Sequence, residues 1–130
     1  MKLKEILAIL DAKPLVCPDE NLDIRMGCGC DLMSDVLAFI KPQTLLLTGL
    51  TTAQAIYTAE MTDIEAICFV RGKVPSGDVI NLAKTKEIAL LTTQLPMFES
   101  CGRLFRAGII GCSEADRVSG KDRKVSKTRK

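Results

Sequence analysis

The 130-residue chain contains no histidine and no tryptophan, and only 4% of its residues are aromatic. The lack of histidine excludes Ser-His-Asp and Cys-His catalysis, H-E-x-x-H zinc sites and histidine proton shuttles. Carboxylates are the only general bases that remain among the candidate residues, and they form no recognisable catalytic set. We therefore predict a protein without enzymatic activity.

The sequence also lacks long apolar runs. Its longest ones fall far short of the ~20 residues that a transmembrane helix needs. The N-terminus alternates charged and apolar residues, with Leu3, Ile6, Leu7 and Leu10 on one helical face, and has no cleavable apolar core. This pattern predicts a cytoplasmic protein with no membrane partner.

The six cysteines do not form the framework of a small secreted protein. Cys68 lies inside an apolar run and is expected to be a small buried hydrophobe. Cys28 and Cys30, with Cys17 upstream, are the only weak candidates for a metal or redox site. Because a closed metal site usually needs four ligands, we predict neither a metal nor an iron–sulfur cofactor, and a cysteine-based metal or redox protein stays an alternative.

Basic residues are concentrated at the C-terminus. The net charge is +2, but the chain before Ser113 has a slight excess of acidic residues and therefore no nucleic-acid footprint. Residues 113–130 are basic and aperiodic, so we predict a disordered tail behind a single domain at residues 1–112. The tail could bind an acidic protein partner, but it has no aromatic residue to stack on bases, which argues against nucleic acid.

The first part of the chain predicts a helix over residues 2–11, a short strand at 15–17 and a half-exposed strand at 22–26. Residues 27–30 (Gly-Cys-Gly-Cys) predict a flexible loop. Asp31 is then expected to cap a helix that ends before Pro42.

Three similar units follow, with apolar strands at residues 45–48, 66–70 and 88–92, each leading into an amphipathic helix. The last of these helices stops at Gly108, and no periodic pattern is found beyond Gly111. The spacing is that of βα units with short loops. The predicted fold is therefore α/β, with a parallel sheet of three or more strands, flanking helices, an N-terminal helix and short strands.

The end of the first of these strands carries the main candidate site. Gly49 is expected to turn with positive φ, while Thr51 caps the next helix and Gln54 completes a capping box. Together with Thr48, these residues predict an anion site, because ligands of open α/β sheets bind where strand ends meet helix N-termini. The alternative is a well-capped helix that binds nothing.

Arg71, Gly72 and Lys73 follow the second strand, and Thr92 ends the third. Two cations at a strand end favour an anionic ligand, although exposed loop cations often do no more than form weak surface ion pairs. The Walker A pattern is absent, since Ile67 and Val74 occupy its first and last positions. Asp31 and Asp35 could hold a metal or bind ribose, or they could simply cap a helix.

In order and spacing, several stretches resemble a DRTGG domain: Asp31-Leu-Met-Ser-Asp-Val-Leu-Ala38, Leu47-Thr-Gly-Leu50, Thr58-Ala-Glu-Met61, Phe69-Val-Arg-Gly-Lys73 and a final unit ending at Thr93. The resemblance covers roughly residues 20–110 and includes no contiguous D-R-T-G-G string. It implies an α/β module that tends to dimerise and has a regulatory role. Such modules accompany CBS pairs in regulated pyrophosphatases, have a relative at the N-terminus of HPr kinases, and also occur alone, some encoded near iron-only hydrogenase systems.

The sequence thus predicts a regulatory or ligand-sensing module, expected to be a homodimer, that binds a small anion, nucleotide or phosphorylated metabolite at the strand ends. A protein-interaction or dimerisation module of a larger, hydrogenase-associated system is the alternative.

Overall fold

A computed structural model describes residues 1–113 as a sheet of six strands in the order β1-β5-β4-β3-β2-β6. β1 pairs antiparallel with β5, and all other pairings are parallel. The predicted basic tail lies outside the described residues, apart from Ser113. The elements are α1 Leu3–Ile9, β1 Lys13–Val16, β2 Met26–Gly29, α2 Met33–Phe39, β3 Thr44–Thr48, α3 Ala53–Met61, β4 Ala66–Phe69, α4 Gly77–Thr85, β5 Ala89–Thr92, α5 Met97–Arg106 and β6 Ile110–Gly111.

The three predicted βα units are confirmed as β3–α3, β4–α4 and β5–α5. Every residue of these three strands is buried, as expected of central parallel strands that helices cover on both faces. Because β3, β4 and β5 are adjacent and parallel, their carboxyl ends lie along one edge of the sheet.

Two apolar layers hold the helices against the sheet. On one face, Met33 of α2, Ile56 of α3 and Val79 of α4 pack with Leu46 and Ile67. On the other face, residues of α1 and α5 pack with the alternate strand residues, including Leu3, Ile6, Leu45, Leu47, Cys68 and Leu104. Alternation along the strands therefore sends successive side chains into opposite layers.

The predicted loop at residues 27–30 is wrong, because residues Met26–Gly29 form β2 and pair in parallel with β3. Packing favours glycine at positions 27 and 29: a Cβ atom on Gly29 would lie 2.8 Å from the Cys101 sulfur and 2.9 Å from the Met97 sulfur of α5, and one on Gly27 would lie 3.2 Å from Ile109 Cγ2. Glycine in this strand thus marks a close approach of helix α5 rather than a flexible segment.

The final strand, β6, was not predicted. It contains only Ile110 and Gly111, which pair with Met26 and Gly27 at the edge of the sheet. The preceding helix ends as predicted, with Gly108 at a φ of 111° just beyond its last turn. Within residues 1–113 no helix is long and apolar enough to span a membrane.

Candidate functional site

The strand ends form one connected polar network. β2, β3, β4 and β5 are adjacent and parallel, with Gly29 beside Leu47, and Thr48 beside Phe69 and then Thr92. Asp31 follows β2, Gly49 follows β3 and Lys73 follows β4. The structure therefore brings together most of the residues that the sequence analysis selected, at the edge where ligands of open α/β sheets bind.

Asp31 is at the centre of this network. Its Oδ1 atom accepts hydrogen bonds from the Thr48 hydroxyl at 2.8 Å and from the Gly49 backbone N–H at 2.7 Å. The Gly49 N–H, the Thr48 hydroxyl and then the charge of Lys73 lower the pKa of the Asp31 carboxyl below its ordinary value. Asp31 is therefore ionised at neutral pH, and no hydrogen bond to its Oδ2 atom occurs among the described residues.

The interpretation of Asp31 as a helix cap is wrong. Helix α2 begins at Met33 with Leu32 as N-cap residue, and no side chain caps it. The carboxylate reaches across to β3 because that strand end offers an N–H and a hydroxyl at close range. An internal carboxylate thus occupies the position at which the sequence predicted an external anion.

Gly49 and Thr51 also differ from their predicted roles. Gly49 is not among the residues with positive φ; its lack of a side chain instead leaves room for its neighbours, since a Cβ atom would lie 3.4 Å from Lys73 Nζ and 3.6 Å from Asp31 Oδ2. The predicted Thr51–Gln54 capping box is absent, because the N-cap residue of α3 is Thr52 and its side chain makes no capping hydrogen bond. The Leu50 N–H bonds instead to the Thr48 hydroxyl at 3.1 Å.

Arg71 and Gly72 make the tight turn that the sequence placed at Gly49. Their φ angles are 60° and 71°, both left-handed. The backbone N–H groups of Arg71 and Gly72 donate to the carbonyls of Leu95 at 3.0 Å and Thr93 at 2.7 Å, which ties this turn to the loop after β5. The Arg71 side chain is exposed and makes no hydrogen bond or ion pair among the described residues.

Lys73 links three strand ends. Its ammonium group donates to the Gly49 carbonyl at 3.4 Å and acts electrostatically on Asp31. Its own carbonyl accepts a hydrogen bond from the buried Thr92 hydroxyl at 2.8 Å. Thr92 therefore positions the Lys73 backbone, and its hydroxyl hydrogen is used within the protein.

Asp35 lies in the first turn of α2, where it is exposed and makes no hydrogen bond to this network.

Gln94 was missed by the sequence analysis. Its side chain lies over Gly72, where a Cβ atom would be 2.6 Å from Gln94 Oε1. Gln94 lies two residues after the end of β5, and this position was the signal that could have identified it as a site residue.

The candidate cysteines do not share one site. Cys17 follows β1, whereas Cys28 lies in β2. Three strands lie between β1 and β2, so at ~4.8 Å per strand spacing the two are about 19 Å apart. Burial, with smaller contributions from Cys112 and Cys30, raises the pKa of Cys28 to about 11. Among residues 1–113, no group of three or more cysteine and acidic residues could hold a metal ion.

An apolar cavity of about 540 Å³ lies between α5 and the β2–β6 edge of the sheet. Its walls include Gly29, Cys101, Phe105 and Ile109. The sequence analysis did not predict this cavity, because β6 was not recognised.

The strand-end cluster combines charges of both signs. It presents two exposed cations, Arg71 and Lys73, beside an ionised carboxylate, so it can pair with an anion and accept hydrogen bonds from hydroxyl groups. The fold and the site define an α/β domain with a polar cluster at the carboxyl ends of its parallel strands.

No protein-family model matches this sequence, and no curated protein matches it. The fold is similar to the crystal structure of the CBS and DRTGG domains of the regulatory region of Clostridium perfringens pyrophosphatase, complexed with the activator diadenosine tetraphosphate, with a TM-score of 0.60 and 18% sequence identity. The similarity covers 85% of this chain and 46% of that one. This chain therefore spans about half of the solved chain. The described domain is DRTGG-like in fold, which agrees with the resemblance noted in the sequence.

Proposed function

We propose that this domain is a non-catalytic regulatory module that binds a nucleotide or another phosphorylated metabolite at its strand ends. The observation that carries the proposal is the ionised Asp31 carboxylate held beside the ammonium group of Lys73 by the ends of β2, β3 and β4. A nucleotide combines anionic and hydroxyl groups, and this cluster offers a partner for each.

In the proposed complex, Arg71 and Lys73 contact the phosphates, and Asp31 Oδ2 accepts a hydrogen bond from a sugar hydroxyl. A simple anion is less suited to the site, because Asp31 already occupies the Gly49 N–H and repels a second negative charge. The Arg71 side chain has no partner among the described residues and so is available to a ligand.

Two observations support regulation rather than catalysis. Both threonine hydroxyls at the strand ends donate to groups of the protein itself, Thr48 to Asp31 and Thr92 to the Lys73 carbonyl, and neither contacts a general base with a raised pKa. The solved structure with a similar fold is part of a regulatory region that binds a nucleotide activator.

The test is a thermal-shift screen with ATP, AMP, diadenosine tetraphosphate, a sugar phosphate and inorganic phosphate. The full chain is compared with the variant Arg71→Ala/Lys73→Ala. The variant Lys4→Ala/Lys84→Ala is the matched control, because it removes the same charge from exposed positions on α1 and α4. We expect at least one nucleotide or sugar phosphate to raise the melting temperature of the wild type and the control, but not that of the site variant.

Equal shifts in all three proteins would place binding elsewhere, and the absence of any shift in the wild type would contradict the proposal. A shift with inorganic phosphate alone would favour a simple anion site over a nucleotide site.

A further inference from the structure

Gln94 lies in the loop between β5 and α5, and the backbone of this loop is fixed on both sides of it. The carbonyls of Thr93 and Leu95 accept hydrogen bonds from the turn after β4, at N–O distances of 2.7 and 3.0 Å. The buried Thr93 hydroxyl donates to the Leu10 carbonyl at 2.7 Å and accepts from the Leu95 N–H at 3.2 Å. The protein therefore holds the backbone of Gln94 in place before any ligand binds, as a specific binding site requires.

The carboxamide of Gln94 lies against the backbone of Gly72. A Cβ atom at position 72 would lie 2.6 Å from Gln94 Oε1 and 3.0 Å from Nε2, so the absence of a side chain at Gly72 leaves this space to the amide. Gln94 is exposed, and its side chain makes no hydrogen bond among the described residues. Its acceptor oxygen and its amino group are thus available to a ligand beside Arg71 and Lys73.

A carboxamide recognises a different group from the one that the two cations bind. It carries no charge, so it adds little to the binding of a phosphate that arginine and lysine already pair with. Its oxygen and its amino group lie side by side, and they are matched by a planar group with a donor next to an acceptor. Adenine has this pattern at both of its open edges, where the N6 amino group lies beside N7 and beside N1.

The distance between Gln94 and Asp31 suits a nucleoside. Each residue lies two positions beyond the end of its strand, β5 for Gln94 and β2 for Asp31. Two strands lie between β5 and β2, so at ~4.8 Å per strand spacing the strand ends are about 14 Å apart. A hydrogen bond at each end leaves roughly 8 Å, which a nucleoside spans from its ribose hydroxyls to the far edge of its base. A sugar phosphate bound by Asp31 and Lys73 has no base and leaves Gln94 unpaired.

We infer that the ligand of this site carries a nucleobase, and that Gln94 binds the edge of that base while Asp31 binds the ribose. The inference rests on the proposed function and narrows its ligands from phosphorylated metabolites in general to nucleotides. In the complex, Gln94 Nε2 donates to a ring nitrogen of the base and Oε1 accepts from the neighbouring amino group. The base lies over Gly72, and the phosphates stay with the two cations.

The first test compares AMP with ribose 5-phosphate, which differ only in the base, by isothermal titration calorimetry on the full chain. We expect the wild type to bind AMP at least about tenfold more tightly, because two further hydrogen bonds form. Gln94→Leu should remove most of this difference and leave the affinity for ribose 5-phosphate within about twofold of the wild type. Gln43→Leu is the matched control, because it changes another exposed glutamine just before β3, at the opposite edge of the sheet, and should alter neither affinity.

Equal affinities of the wild type for AMP and ribose 5-phosphate, or undiminished AMP binding by Gln94→Leu, would overturn the inference. The proposed function would still stand in that case if Arg71→Ala/Lys73→Ala lost both ligands. If neither ligand binds the wild type, the inference and the proposed function both fail.

A second measurement separates contact with the base from a purely structural role of Gln94. Gln94→Glu has nearly the same shape, but its carboxylate accepts hydrogen bonds and does not donate them. It opposes the ring acceptors of adenine, whereas N1–H and the N2 amino group of guanine are both donors. We expect the ratio of AMP affinity to GMP affinity to fall about fivefold or more relative to the wild type. The added charge repels both phosphates alike and cancels in this ratio, so an unchanged ratio would show that Gln94 does not contact the base.

Discussion

At the scale of single residues, Asp31 connects the stability of the domain to its proposed function. Its Oδ1 atom accepts hydrogen bonds from the Gly49 N–H and the Thr48 hydroxyl. Its Oδ2 atom accepts none among the described residues and is the proposed contact for a ligand. The same carboxylate therefore closes the end of β3 and forms part of the proposed binding site.

Replacing Asp31 with asparagine should lower the free energy of unfolding by about 1 kcal/mol at pH 7, because it weakens two charge-assisted hydrogen bonds at an exposed position. The pKa of Asp31 is lower in the folded state than in the unfolded state. The stabilisation is therefore complete above the ordinary carboxyl pKa of ~3.9 and is lost as the pH falls through the lowered value.

Urea denaturation of the wild type and Asp31→Asn between pH 7 and pH 3 measures this effect. The difference between the two proteins should shrink below about pH 4. A difference that is independent of pH would show that the charge of Asp31 does not stabilise the strand end.

A second test at the residue scale compares Gly29, whose Cβ position is crowded, with Gly77, whose Cβ position is open. Gly29→Ala should destabilise the domain by roughly 1–3 kcal/mol, because its Cβ would lie against the sulfurs of Cys101 and Met97. Gly77→Ala, at the start of α4 with no atom within 4 Å of its Cβ position, should instead stabilise the domain by about 0.5–1 kcal/mol. Chemical denaturation measures both. If Gly29→Ala is as stable as the wild type, α5 does not pack closely on β2.

At the scale of elements, the buried central strands determine the fold. β3 lies between β4 and β2, and its leucines alternate between the two apolar layers. Leu46→Ala should lower the free energy of unfolding by about 2–5 kcal/mol, since it leaves a cavity in a fully buried layer. Leu37→Ala on the partly exposed side of α2 is the control and should change it by less than about 1 kcal/mol. If a urea titration shows that both variants lose the same free energy of unfolding, the burial of β3 is contradicted.

The accuracy of the sequence analysis differed between these elements for a physical reason. β3, β4 and β5 were predicted almost to the residue, because unbroken apolar runs between turns are typical of strands buried on both faces. β2 was missed because glycines are unusual in strands, and the reason for Gly29 is its contact with α5, which is distant in sequence. β6 has two residues, too few for any periodicity to be visible.

The positions of several candidate site residues were also predicted. The sequence placed Thr48, Lys73 and Thr92 at strand ends with Asp31 nearby, because the carboxyl ends of parallel strands in a βα repeat meet at one edge of the sheet. It could not assign the internal contacts of Asp31 or the turn at Arg71, since both depend on which groups meet across different loops. The capping pattern at Thr51 did not identify the helix start, because α3 has Thr52 as its N-cap residue.

At the scale of the whole molecule, one strand connects the proposed ligand site to the apolar cavity. Asp31 lies two residues after β2, and Gly29 of β2 lies against α5 and lines the cavity.

The most direct test of the central claim is a titration of the ¹⁵N-labelled full chain with the nucleotide or sugar phosphate that gives the largest thermal shift, followed by two-dimensional NMR. We predict that the backbone amide signals of Gly49, Gly72 and Lys73 shift in proportion to occupancy, and that these shifts are lost in Arg71→Ala/Lys73→Ala but kept in Lys4→Ala/Lys84→Ala. Shifts confined to α5 and β6, or none at saturating ligand, would contradict a ligand site at the strand ends.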